Sequence, residues 1–195
     1  MMKPILFNAI MVRAIKAGTK SVTRRIVKAP VLYKVNEPPT LIYRDGELFQ
    51  FQWRTGKTAG GFCIKPPYLA GDTLYVRETW TKAGGKYWYR ADGDYGLFER
   101  WYPSIHMPKE AARLFLRVTD VRVERLQEIM NDPPGPKNQI VREGCSYGCD
   151  FIAVWDRTIK PTDKNCYGWD ANPWVWVIEF ERCEKPEEKK ESRPG

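Results

Sequence analysis

Eight bases, Lys3, Arg13, Lys16, Lys20, Arg24, Arg25, Lys28 and Lys34, precede the first acid of the chain, Glu37. The protein has 195 residues, 32 Lys and Arg against 24 Asp and Glu, and a net charge of +8, so this N-terminal segment carries the whole excess. Long-range Coulomb attraction draws phosphates or carboxylates to such a region. The alternative is a solvated basic surface with no ligand. A second chemical signal is Glu78. In Thr73-Leu74-Tyr75-Val76-Arg77-Glu78-Thr79-Trp80, read as one strand, it shares a parity with Leu74, Val76 and Trp80. A carboxylate on that side is costly unless paired, or its pKa rises. Such groups mark functional sites, and structural ion pairs perturb them as well. A third signal is the stretch 83–102, where Tyr87, Trp88, Tyr89, Tyr95, Phe98, Trp101 and Tyr102 are interleaved with glycines and charges. That mixture suits a base-stacking surface or a hairpin packed on the core.

Other motifs fail on inspection. Arg54-Thr55-Gly56-Lys57-Thr58 ends like a P-loop, but Phe51 stands where the first glycine is required. The single histidine, His106, lies between Pro103 and Pro108 with no nucleophile elbow, and reads as a turn residue. Cys145, Cys149 and Cys166 with His106 lack the tight ligand pairs of structural zinc. Five cysteines, an odd number without CxxC, read as reduced thiols rather than a disulfide framework. No metal or cofactor is expected.

The elements that must hold these residues are short. Asn8 and Gly18 bracket a helix with Ile10, Met11, Ala14 and Ile15 on its apolar face. Val22 to Lys28 enters a strand. Asp45-Gly46 joins Leu41–Tyr43 to Leu48–Phe51 as a hairpin. Leu114 to Leu126 is a long strand whose phase flips near Asp120, which implies a bulge. Asp150 caps a helix bearing Phe151, Val154 and Trp155, and Trp174 to Arg182 closes the chain as a strand. The sum is an α+β domain of five to seven strands and two to four short helices, best arranged as a small barrel. Residues 184–195 hold no apolar side chain and read as a frayed tail. Hydrophobic residues make up 43% and charged residues 29%, as in a globular chain. No apolar run is long enough to span a bilayer and no signal peptide is evident, so a cytoplasmic protein with no membrane partner is expected.

The string Gly18-Thr19-Lys20-Ser21-Val22-Thr23-Arg24-Arg25, of the form G-x-K-x-x-T-x-R after an amphipathic helix, resembles the ASCH family. The likeness continues in Gly71-Asp72-Thr73-Leu74-Tyr75-Val76-Arg77-Glu78, in Glu143-Gly144 and in the closing strand. It is closest to ASCH-like proteins of phages and prophages, through Val76–Trp80, Pro103–Pro108 and Asn172–Trp176. The resemblance implies a PUA-like β-barrel over residues 1–183, with insertions near 36–70, 83–103 and 131–170. It implies a cleft beside the basic helix that takes a nucleotide, RNA or DNA. Some small members hydrolyse N4-acylated cytidine with a Lys, a Thr and a Glu, roles that map onto Lys20, Thr23 and Glu78. This chain is about twice as long as those enzymes.

Amide hydrolysis needs an activated nucleophile and a proton for the leaving amine. Thr23 offers a hydroxyl, Lys20 a base if its pKa falls, and Glu78 an acid if its pKa rises. The alternative is a salt bridge between Lys20 and Glu78, with Thr23 satisfying the backbone. In the purely binding reading, Arg13, Lys16, Arg24, Arg25 and Arg77 meet phosphates, and Trp80, Trp88 or Trp101 stack on bases. A third reading is a phage accessory protein that acts through protein contacts.

Overall fold

A computed structural model of the chain describes residues 2–28, 40–45, 48–55, 58–93, 96, 98–133, 135 and 137–187, with the backbone alone at 40–45, 53–55 and 58. Strand β1 (Lys3–Leu6) sends Ile5 inward. Asn8 then caps helix α1 (Ala9–Lys16), its Oδ1 accepting from the Met11 N–H at 2.9 Å. The helix stops where Gly18 takes φ 76° and the Gly18 and Thr19 N–H groups turn back to the Ile15 and Ala14 carbonyls. Both ends are as expected, and of the expected apolar face Ile15 is buried and Met11 packs against the core. Val12 and Ile15 are buried, whereas Ile10 is 64% exposed. Val12 and Ile15, three residues apart, form the docked stripe, and Ile10 lies outside its width.

Strand β2 (Val22–Ile26) follows. Strands β3 (Thr40–Asp45), β4 (Leu48–Thr55) and β5 (Thr58–Ile64) form a separate antiparallel sheet. Asp45 pairs with Leu48, so the expected hairpin is present, although Gly46 lies outside the described residues. Phe49 and Phe51 of β4 are buried edge-on against Trp176 and Trp174, with centroids 4.9 and 5.4 Å apart. Strand β6 (Thr73–Arg77) ends one residue before Glu78, so the strand expected over 73–80 is two pieces. Strands β7 (Trp80–Ala83) and β8 (Lys86–Tyr89) make a two-stranded sheet of their own.

Strand β9 (Phe115–Arg125) is followed by α2 (Gln139–Arg142), α3 (Gly148–Thr158), α4 (Lys164–Tyr167) and β10 (Trp174–Cys183). The expected bulge is at Thr119: Glu179 faces Asp120 and Phe180 faces Val118, leaving one extra residue on β9. Asp150 is not the N-cap of α3; it lies in the first turn, and its carboxylate accepts from the Tyr147 N–H at 3.2 Å.

The main sheet runs β1-β6-β9-β10-β2, with β1 parallel to β6 and the other pairs antiparallel. β10 is covered on both faces, which is why Trp174–Ile178 is a nearly unbroken apolar run. One face, with Trp176, Ile178 and Phe180, packs on Val12 and Ile15 of α1 and on β4. The other, with Val175 and Val177, packs on Phe151 and Trp155 of α3. The fold is therefore α+β, with several sheets and short helices. The expected barrel is not closed: β1 and β2 are the two edges of the main sheet and do not pair. The strand count exceeds the expectation because β3–β5 and β7–β8 build sheets within stretches rich in turns. Among the described residues, no helix is long and apolar enough to cross a membrane.

Candidate functional site

Because β2 is an edge strand, its alternation sorts the basic run onto two sides. Thr23 and Arg25 lie opposite Ile178 and Trp176, on the α1 side; Arg24 lies opposite Val177, on the α3 side. Lys20, just before β2, bridges to Glu143. Its side chain is fully buried and donates to Glu143 Oε2 at 2.6 Å, the Glu143 carbonyl at 2.8 Å and the Val22 carbonyl at 2.7 Å. An ammonium has three donors, so every one is used. Burial pushes its pKa below the usual lysine value; Glu143 pulls it back, and Arg25 adds to the lowering. The other Glu143 oxygen accepts from Arg24 Nη1 at 3.2 Å. Arg24 Nη2 reaches Glu124 at 3.2 Å and also Gln139, while its Nε is buried without a partner among the described residues.

Arg25 is held differently. Its guanidinium donates to Thr23 Oγ1 at 3.1 Å, the Arg24 carbonyl at 3.1 Å and the Leu6 carbonyl at 3.0 Å, all uncharged oxygens. No carboxylate is bonded to it among the described residues. It lies 5.4 Å from the centroid of the Phe7 ring, and Lys20 Nζ lies 5.8 Å from the same ring. Burial lowers its pKa, and Glu143 opposes the fall. The bond to Leu6 crosses from β2 to the last residue of β1, so Arg25 spans the gap in the open sheet. A cleft of about 460 Å³ lies here. Its lining includes Phe7, Arg24 and Arg25, Asn8 and Met11 of α1, Thr79, Ser104, and Trp155 and Thr158 of α3.

Glu78 is fully buried, and of the alternatives for it the structure has an arginine pair. Arg113 Nε and Nη2 donate to its two oxygens at 2.9 and 3.0 Å. Arg113 continues to Asp92, which accepts from Lys16 at 2.6 Å. Burial alone would lower the pKa of Arg113; the two carboxylates outweigh it and raise it. No hydrogen bond joins any two of Lys20, Thr23 and Glu78, and the salt bridge considered between Lys20 and Glu78 is not formed, since each has another partner. Thr23 is buried and accepts from Arg25.

The remaining candidates divide. Arg24 and Arg25 line the cleft. Arg13 and Lys16 tie α1 to the turn at Ala91 and Asp92. Arg77 donates to the Met107 and Ile105 carbonyls and so holds the turn beside the cleft. Trp80 packs between Tyr87 and Tyr102 at 5.7 and 5.3 Å, its indole N–H buried without a partner among the described residues. Sequence reasoning assigned no role to Phe7, Arg113 or Glu143. Phe7 and Arg113 carry no local motif, and Glu143 was visible only as part of the Glu143-Gly144 layout. Among the described residues, no three His, Cys, Asp or Glu side chains gather as a metal site, and Cys145, Cys149 and Cys166 are free thiols.

Arg142 fixes Glu143 on β2. Its Nε donates to Ser21 Oγ at 3.0 Å and its Nη2 to Glu179 at 2.6 Å, and Arg122 reaches the other Glu179 oxygen at 2.5 Å. Burial opposes ionisation of Glu179, but these two guanidiniums outweigh it and hold the carboxyl below its usual range. A folded pKa below the unfolded one stabilises above the unfolded value of about 4.3, and the gain is lost as pH falls through the folded value. In urea unfolding, Glu179→Gln should be less stable than wild type at neutral pH, with the gap closing as pH falls below about 4. A gap independent of pH would refute this role for the carboxylate.

No protein-family profile matches the chain, and no curated protein matches it. Among solved structures, the crystal structure of hypothetical protein PH0355 is similar over 94% of this chain and 100% of that chain, with 14% identity and a TM-score of 0.43, a likeness that carries no argument about fold or activity.

Proposed function

We propose that the cleft between α1, β2 and α3 binds a nucleobase or nucleotide, free or within RNA or DNA, on an open variant of the PUA-like ASCH barrel. The observation that carries this reading is Arg25. It brings a positive charge to the cleft with only neutral oxygens as hydrogen-bond partners among the described residues, so an anionic or strongly polar acceptor gains a charge-assisted bond there. Phe7, Met11 and Trp155 supply apolar surface, and Asn8, Thr79, Ser104 and Thr158 supply polar groups for a ring edge or a ribose.

Hydrolysis of an N4-acylated cytidine is the second reading, favoured by the lowered pKa of Lys20, just before the strand that carries Thr23. It requires Lys20 to pass a proton to Glu143 before it can accept one from Thr23 or water. It also requires Glu78, ion-paired with Arg113, to supply a proton to the leaving amine. Binding therefore stands first.

Calorimetric titration with cytidine, CMP and N4-acetylcytidine tests the binding. Wild type should bind at least one of them, and Arg25→Ala should weaken it about tenfold or more, the worth of a hydrogen bond to a charged group. No heat from any of the three would sink the reading. Chromatography of the N4-acetylcytidine samples tests the second: cytidine released by wild type and not by a folded Lys20→Met variant would put hydrolysis first.

A further inference from the structure

A second concavity of about 390 Å³ lies on the β7–β8 hairpin and shares no lining residue with the Arg25 cleft. The rings of Trp88, Phe98 and Trp101 touch in series, with centroids 5.3 and 5.4 Å apart. A hairpin core would cover such rings. Here Trp88 is 39% exposed, and its indole N–H is committed to the Ala83 carbonyl at 3.3 Å, leaving the ring for stacking. Exposed cations alternate with the aromatics: Lys82 lies 5.1 Å from the Tyr87 centroid, Arg90 5.9 Å from Trp101 and Arg100 4.9 Å from Tyr102, and Lys86 lines the concavity. Of the nearby acids, Asp92 and Glu78 are paired with Lys16 and Arg113.

We propose that the β7–β8 hairpin is a stacking platform for single-stranded nucleic acid, with an unpaired base against Trp88 and Trp101 and the flanking phosphates on Lys86, Arg90 and Arg100. Base-to-ring stacking tolerates any base, because every base has a π-face, and the interleaved cations track the backbone. A duplex keeps its bases inside the stack and offers no face to Trp88. The concavity has room for a base, and the exposed face of Trp88 is open to one. The platform uses residues outside the Arg25 cleft and stands whether or not that cleft binds a nucleotide.

The test is fluorescence anisotropy with labelled oligouridine and oligothymidine of about 12 nucleotides, within the usual span of such sites, and a blunt duplex of the same length. Intrinsic tryptophan fluorescence is read in the same titrations. At least one single strand should bind and quench tryptophan emission, while the duplex binds about tenfold more weakly. Which strand binds tells RNA from DNA, and either supports the platform. Trp88→Ala should weaken single-strand binding on the order of tenfold, and Trp88→Phe, which keeps a ring, should retain most of it. If Trp88→Ala lowers the melting temperature sharply, Lys86→Glu on the exposed rim takes its place and should weaken binding several-fold, with a shallower dependence on salt. No binding of either single strand, equal binding of the duplex, or variants equal to wild type would each overturn the proposal.

Discussion

Glu143→Ala should cost about 3–5 kcal/mol of folding stability, the usual penalty for removing one partner of a buried ion pair. This carboxylate compensates two cations at once. Lys20 Nζ lies 2.6 Å from one of its oxygens and Arg24 Nη1 3.2 Å from the other, and both side chains are almost wholly out of solvent. Arg24 keeps Glu124, but Lys20 would keep only the two carbonyls. Truncation thus leaves an ammonium in an apolar setting, which must either lose its proton or draw water into the sheet edge. For a chain of this size the loss is a fall of roughly 10 °C or more in melting temperature. Glu143→Gln should fall between, since the amide oxygen still accepts from Lys20 but brings no charge. Thermal melts of the two variants decide it; a loss under about 1 kcal/mol for Glu143→Ala would show that this ion pair contributes little to stability.

Phe7→Ala should cost a similar amount, about 3–5 kcal/mol, and should also disable the cleft. The ring is 2% exposed and lies 6.0 Å from that of Phe180, so its loss opens a cavity between β1, α1 and β10. It also carries two cations near its face, at 5.8 Å for Lys20 and 5.4 Å for Arg25. Phe7→Leu separates the two contributions. Leucine restores most of the volume and should recover most of the stability, but it has no ring quadrupole to hold the Arg25 guanidinium. Calorimetry should then show nucleotide affinity reduced in Phe7→Leu beyond what its melting temperature predicts. Affinity equal to wild type would mean that Phe7 only fills space.

Local pattern made much of this fold legible. The α1 caps follow from Asn8 and Gly18, the hairpin before β4 from Asp45-Gly46, and the β9 bulge from the phase flip near Asp120. Each is set by neighbours a few residues apart. The helix face is the exception: Ile10, expected on the docked face, is exposed, and Val12 is buried instead. The site was legible only in part. Charge counting found the basic run, and parity found Glu78 on the buried side. Which cation each acid would neutralise depends on contacts between distant segments. Lys20 and Glu143 are 123 residues apart, and Glu78 and Arg113 are 35 apart. No spacing rule spans those distances, so the sequence could not show that Lys20 and Arg24 share Glu143 while Arg25 bonds to no carboxylate among the described residues.

The sheet that fails to close has a further property. An unpaired edge strand is a template on which a second molecule can add its own strand and begin to aggregate. On β1 that template is mostly erased. Pro4 has no N–H to give. Its carbonyl accepts from the Tyr68 hydroxyl at 2.7 Å, and the next carbonyl on the same side, that of Leu6, is taken by Arg25 at 3.0 Å. Side chains thus occupy the acceptors that an incoming strand would use. The guanidinium that marks the cleft also takes an acceptor on the β1 edge, which ties the chemistry of this corner to the shielding of that strand.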